Sequence, residues 1–258
     1  MRLFVLTFGL ILGSLSGVIG QDNTASNVLF VGNSYTYFWN LPQTVAVMAT
    51  EKNVELQTRQ STSGGVNLGQ HWRGERELNT QALIRSGEFD VVIIQDHSRR
   101  AVDHPDSLQY YGNLLAKLCR ESGATPYVYM TWAREWDPYM QAPIAEQYER
   151  LGERIDAEVI PVGLAWQRAR TLRPSLSLFD PDGSHPSPTG TYLIACVVFG
   201  ALTGESPVGL PHRIVSTDKD GEKLYLNIQS KEDALFCQKV AQEVLTTAAL
   251  LSDTPVKN

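Results

Sequence analysis

Cysteine is scarce in this chain, three in 258 residues, so a disulfide framework is excluded. Cationic clusters are missing as well: 22 Lys and Arg are scattered among 28 Asp and Glu, for a formal charge of −6. That balance argues against nucleic acid or an anionic membrane as the main partner. No apolar run is long enough for a comfortable transmembrane helix. Phosphate loops of the Gly-x-x-x-x-Gly-Lys or Gly-x-Gly-x-x-Gly type, His-x-x-x-His pairs and Asn-x-Ser/Thr acceptors are all absent. Neither a cofactor nor a metal is therefore expected. The Gly-x-Ser-x-Gly elbow is also missing, because Thr36 stands where its last glycine would be. What is present is a globular balance, 43% hydrophobic and 19% charged.

Residues 1–20 read as an export signal. Arg2 precedes a ten-residue apolar stretch, Leu3 to Leu12, and small residues follow, ending in Val18-Ile19-Gly20 before the polar Gln21-Asp22-Asn23. Removing it leaves residues 21–258 as one exported domain, periplasmic or extracellular, with no membrane insertion. Cys119, Cys196 and Cys237 lie in apolar surroundings and read as buried small hydrophobes, with one disulfide plus one free thiol as the alternative.

Short apolar runs then alternate with amphipathic stretches. Strands are expected at residues 28–31, 54–60, 91–94, 127–130 and 159–162, the second at an edge because it alternates. Val91-Val92-Ile93-Ile94 is apolar on both faces and suits a central parallel strand. Helices are expected at residues 41–52, 75–85, 106–120, 144–155 and 189–202. This rhythm predicts an α/β fold: a three-layer α/β/α sandwich on a flavodoxin-like five-stranded parallel sheet. The core spans about residues 27–203. Residues 205–258 leave the rhythm and read as an appended hairpin around Asp218-Lys219-Asp220-Gly221, with a final helix capped by Ser230 and Asp233.

In such sheets ligands bind beyond the carboxyl ends of the strands. The segments there are Gly32-Asn33-Ser34-Tyr35-Thr36, Ser61-Thr62-Ser63-Gly64-Gly65, Gln95-Asp96-His97-Ser98, Thr131-Trp132-Ala133-Arg134 and Asp180-Pro181-Asp182-Gly183-Ser184-His185. Ser34 is placed to be a nucleophile, its competing role being a helix N-cap. Asp182 and His185 are three apart, which lets a carboxylate hold one imidazole nitrogen while the other faces a serine. His71, Trp72, Trp132 and Trp136 follow strand ends and are candidates for stacking on substrate, with Trp39 and Trp166 less specific.

Taken together, Phe30-Val31-Gly32-Asn33-Ser34-Tyr35-Thr36 and Asp182-Gly183-Ser184-His185-Pro186 resemble the first and last sequence blocks of the SGNH (GDSL-like) hydrolases. The resemblance covers about residues 27–203. It implies a catalytic triad of Ser34, Asp182 and His185. It also implies an oxyanion hole from the N–H groups of Ser34 and a second-block glycine, matched by Gly65 ahead of Gly64. The third block of that family normally supplies an asparagine. Here Ile94-Gln95-Asp96-His97-Ser98-Arg99 stands instead, so Gln95 is the expected amide donor and Ser98 the second choice. The motifs look like an exported, poorly characterised branch associated with carbohydrate esters. The expectation is a serine esterase acting on small acyl esters, acetyl above all, of a small molecule or polysaccharide. A lipid or thioester hydrolase on the same triad, and a carbohydrate-binding protein without turnover, are the competing readings.

Overall fold

The computed structural model describes residues 26–252. The expected export segment lies outside them. The chain opens with β1 (Ser26–Gly32), α1 (Ser34–Tyr37), α2 (Leu41–Thr50), β2 (Leu56–Thr62), α3 (Leu68–Arg73), α4 (Thr80–Arg85) and β3 (Val91–Ile94). It continues with α5 (Arg100–Asp103), α6 (Pro105–Glu121), β4 (Thr125–Tyr129), α7 (Gln141–Ile155), β5 (Glu158–Ile160), α8 (Val162–Leu172) and α9 (Pro188–Thr203). The hairpin β6 (Arg213–Thr217) and β7 (Lys223–Ile228) and the long α10 (Lys231–Ser252) complete it. β1 to β5 form one parallel sheet of order β2-β1-β3-β4-β5, and β6 pairs β7 antiparallel. This is the expected flavodoxin-like sandwich. The alternating second strand is at the edge, and the apolar β3 is inside.

The alternation of side chains along a strand divides the core in two. Val28, Phe30 and Ile93 point into one apolar cluster, while Leu29, Val31, Val92 and Ile94 point into the other. Burying each such side chain contributes about 1.5–3 kcal/mol. The first cluster also holds α9, which is apolar on all sides because α2, α8 and α10 surround it. The appended helix α10 therefore shares the core. Its start is capped as expected, Asp233 N–H donating to Ser230 Oγ at 3.0 Å.

Two local expectations change, and one alternative closes. Residues 75–85 are not one helix: Arg76 and Glu77 take left-handed backbone (φ 53° and 61°), and α4 begins only at Thr80. That break turns Leu78 inward, where it is 9% exposed. Strand β5 ends at Ile160, because Pro161 has no N–H to give the ladder, and Val162 opens a helix that periodicity did not reveal. Cys119, Cys196 and Cys237 are all buried and free, so the alternative with one disulfide is not formed. Among the described residues no helix is long and apolar enough to cross a membrane.

Candidate active site

Because β1 is flanked by β2 on one side and β3 on the other, the chain crosses over between them, and a crevice opens at the carboxyl ends of β1 and β3. A cavity of about 670 Å³ occupies it. Ser34, Gly64, Gly65, Ser98, Asp182 and His185 all line this cavity.

Ser34 sits one residue past the point where β1 becomes α1. Asn33 caps that helix, its Oδ1 accepting from Tyr35 N–H at 3.1 Å, so the serine hydroxyl is not used as a cap. Gly32 is required by close approach: a Cβ there would collide with Thr36 Oγ1 and Gln95 Oε1. Beneath the turn, His71 Nε2–H donates to Gly32 C=O at 3.0 Å, and its Nδ1 accepts from Thr80 Oγ1 at 2.7 Å. Thr80 in turn accepts from Ser61 Oγ at 2.8 Å. This chain of bonds sets the neutral tautomer, and burial lowers the imidazole pKa to about 4 despite the Gly32 bond.

Ser34 Oγ lies 2.8 Å from His185 Nε2. His185 Nδ1 is bonded to Asp182 Oδ2. Asp182 Oδ1 accepts the backbone N–H groups of Ser184 and His185, both at 2.9 Å. Burial raises the Asp182 pKa, but bonds from the His185 ring and from these N–H groups outweigh it and hold the carboxyl below its usual value. The arrangement has Asp182 ionised, His185 protonated at Nδ1, and Nε2 able to accept the Ser34 proton.

The loop carrying Asp182 and His185 is joined to α1 by aromatic packing. Tyr35 stacks on Trp132 at 4.2 Å between centroids, and Trp132 stacks on Trp166 at 4.3 Å. Trp132 Nε1–H donates to Ser184 C=O at 3.0 Å, and the Tyr35 and Ser184 hydroxyls are 2.8 Å apart. Phe38 stacks on the His185 ring at 4.5 Å, and Trp39 Nε1–H donates to Pro186 C=O at 2.8 Å.

Several expected site residues do other work. Gln95 is 1% exposed; its Oε1 accepts from Asn33 N–H at 3.1 Å and Thr36 Oγ1 at 2.8 Å, and its amide N–H is turned to Asp96 C=O. It therefore braces the Ser34 turn and presents no donor to the cavity. His71 and Trp132 are fully buried and cannot touch substrate, and Trp72 packs on the second core cluster away from the cavity. Trp132 follows β4 and faces the core, whereas His71 and Trp72 are on α3, which turns His71 beneath the Ser34 turn and packs Trp72 on the second core cluster. Trp166 is buried in the same stack, whereas Trp136 lines the cavity and is 65% exposed. Gly65 has φ 67° with open space where a Cβ would point, so it is a glycine by backbone conformation. Tyr37, Phe38 and Arg134 line the cavity without having been singled out; for Arg134 the only signal was its place after β4.

Asp96 accepts from Leu68 N–H at 3.0 Å and His97 N–H at 2.7 Å, and its Oδ2 has no partner among the described residues. Burial pushes its pKa from 3.8 up to about 6, against those bonds and the Arg100 charge. A raised carboxyl stabilises the fold below pH 3.8, and that contribution is lost as pH rises through about 6. The lowered His71 acts oppositely: its contribution is present above pH 6.5 and is lost as pH falls through about 4. The two slopes nearly cancel between these values. Asp96→Asn removes one of them, so the variant is expected to lose about 3 kcal/mol more than wild type on acidification from pH 6.5 to 4. Urea midpoints across that range test this, and parallel curves for the two proteins would refute it.

This combination of sheet order and cleft defines a class. The chain has the fold of the SGNH (GDSL-like) hydrolases. A DUF4886 family protein from Bacteroides uniformis superposes with a TM-score of 0.71 at 18% identity, covering 86% of this chain and 95% of that one. A candidate SGNH hydrolase from Slackia heliotrinireducens gives 0.58 at 22% identity, over 69% of this chain and 100% of the other. An acetyl xylan esterase gives 0.55 at 12% identity, over 68% and 99%. No protein-family model matches the chain, and no curated protein sequence does.

Proposed function

We propose that this protein is an exported serine esterase that removes small acyl groups, acetyl above all, from carbohydrate. The observation that carries the reading is the 2.8 Å approach of Ser34 Oγ to His185 Nε2, with Asp182 on the other ring nitrogen. Export rests on the composition of residues 1–20. The sugar rests on the exposed ring of Trp136 at the cavity and on the acetyl xylan esterase among proteins of the same fold.

In this reading Ser34 Oγ attacks the ester carbonyl carbon as His185 Nε2 takes its proton. The negative oxygen formed is held by N–H groups of Ser34 and Gly65, neither of which is committed to a hydrogen bond among the described residues. The intermediate collapses, and His185 returns the proton to the departing alcohol. Water, deprotonated by His185, then attacks the acyl-enzyme; the C–O bond to Ser34 breaks, and the free acid leaves.

The third oxyanion donor passes from Gln95 to Ser98. Ser98 Oγ lines the cavity and accepts from Arg134 at 2.7 Å, which directs its own proton elsewhere. Ser98→Ala is expected to lower kcat about 10²–10³-fold with little change in KM. Gln95→Ala is expected to act mainly through stability, leaving kcat of the folded fraction nearly intact. Equal kcat losses in the two variants would return the donor role to Gln95.

Labelling with a fluorophosphonate, followed by p-nitrophenyl acetate against octanoate and then acetylated polysaccharides, tests the whole reading. Labelling of Ser34 and faster turnover of acetate are expected. An unlabelled protein would point to binding without turnover, and preference for octanoate to a lipid or thioester hydrolase.

A further inference from the structure

The charges around the cavity are unevenly compensated. Asp182 is engaged by His185. Arg99 is held by Asp103 through two bonds of 2.8 and 2.9 Å. His97 is kept below its usual pKa by burial and by the charges of Arg134 and Arg100. Arg134 differs. None of the ion pairs among the described residues includes it, although Glu135 and Asp137 are close in the chain.

Neutral groups hold this cation in place. Arg134 Nη1 donates to Tyr35 Oη at 3.0 Å and Nη2 to Ser98 Oγ at 2.7 Å. Its guanidinium lies 5.8 Å from the Tyr35 ring centroid and 5.9 Å from that of Trp136. Of the five N–H donors of a guanidinium, two are used by these bonds. The residue is half-buried at the cavity wall, so its charge is partly desolvated, and it forms no ion pair among the described residues. A planar fork in that state is matched by a carboxylate. Beside it the Trp136 indole, which is largely exposed, offers apolar surface on which a ring can lie.

We propose that Arg134 makes this cleft selective for an acylated sugar acid. The carboxylate meets the guanidinium, the sugar ring lies on Trp136, and the ester faces Ser34. The fate of the ester rests on the esterase reading above; the binding of the carboxylate does not.

The test uses Ser34→Ala protein, in which ligand is not consumed. Calorimetry compares a mono-O-acetylated methyl glucuronoside with the matching neutral glucoside. The acid is expected to bind about tenfold to a hundredfold more tightly, the worth of one charge-assisted bond. Arg134→Gln in the same background is expected to bring the two affinities within about twofold of each other, and Arg134→Lys to keep part of the preference. The ratio of affinities is insensitive to any misfolded fraction. Equal binding of acid and neutral sugar, a preference that survives Arg134→Gln, or failure of both ligands to bind overturns the proposal. Turnover of the same pair by the wild-type protein judges the esterase reading separately. Charge-selective binding without turnover would overturn that reading and support this one.

Discussion

Ser34→Ala is expected to lower kcat for ester hydrolysis roughly 10⁴–10⁶-fold, the loss typical when the nucleophile of a serine triad is removed. The substitution is structurally mild. Among the described residues Ser34 Oγ has one hydrogen bond, to His185 Nε2, and the cap of α1 belongs to Asn33. Stability should therefore change by about 1 kcal/mol or less. Circular dichroism and thermal melting establish that the variant is folded, and steady-state kinetics on p-nitrophenyl acetate measure the loss. His185→Ala should lose a similar factor, and the double variant little more, because the two groups act as a unit. Near-wild-type kcat in folded Ser34→Ala protein would end the triad assignment.

Trp132→Ala is expected to have the largest effect on stability, about 4 kcal/mol. The indole is fully buried between Tyr35 and Trp166, and its N–H donates to Ser184 C=O. Truncation leaves a cavity where two rings have lost their stacking partner and a buried carbonyl has lost its donor. For a domain of this size the melting temperature should fall by about 10 °C. Activity should fall further than the folded fraction, because the indole holds Tyr35 by stacking and the His185 loop through Ser184 C=O. Trp132→Phe keeps most of the apolar area and loses the N–H, so a cost of about 1–2 kcal/mol is expected. Denaturant midpoints measure both variants. A loss below 1 kcal/mol for Trp132→Ala would mean that the stack does not hold the site together.

Which strand is covered on both faces and which lies at an edge was readable from residue patterning, because it follows from local chemistry. Four apolar residues in a row at Val91–Ile94 have no polar face, so they must be covered on both sides, and β3 is. The alternation in β2 exposes one face, and β2 is at the edge. The short helices α3 and α4 and the helix α8 were not readable in the same way. α3 is a short helix ended by left-handed Gly74, α4 starts only after left-handed Arg76 and Glu77, and α8 depends on a strand that stops early at Pro161.

The parts of the candidate site carried by one short segment each were legible in the chain. Gly32-Asn33-Ser34 at a strand-to-helix turn and Asp182-x-x-His185 in a tight loop place their groups through bonds spanning only a few residues. The sequence by itself therefore determined the α/β class, the sheet, and which three side chains could meet. Only the tertiary structure decided which way the remaining candidate residues turn. Gln95 turns to Asn33 and Thr36, His71 to Gly32 and Thr80, and Trp132 lies between Tyr35 and Trp166. Most of these partners are far away in the chain. A buried polar group must be satisfied by whatever the fold brings beside it, and an aromatic ring goes where the most apolar surface surrounds it. The same holds for Arg134: the sequence shows a cation after β4, and only packing against Tyr35, Ser98 and Trp136, with no ion pair to it among the described residues, leaves its charge for the cavity.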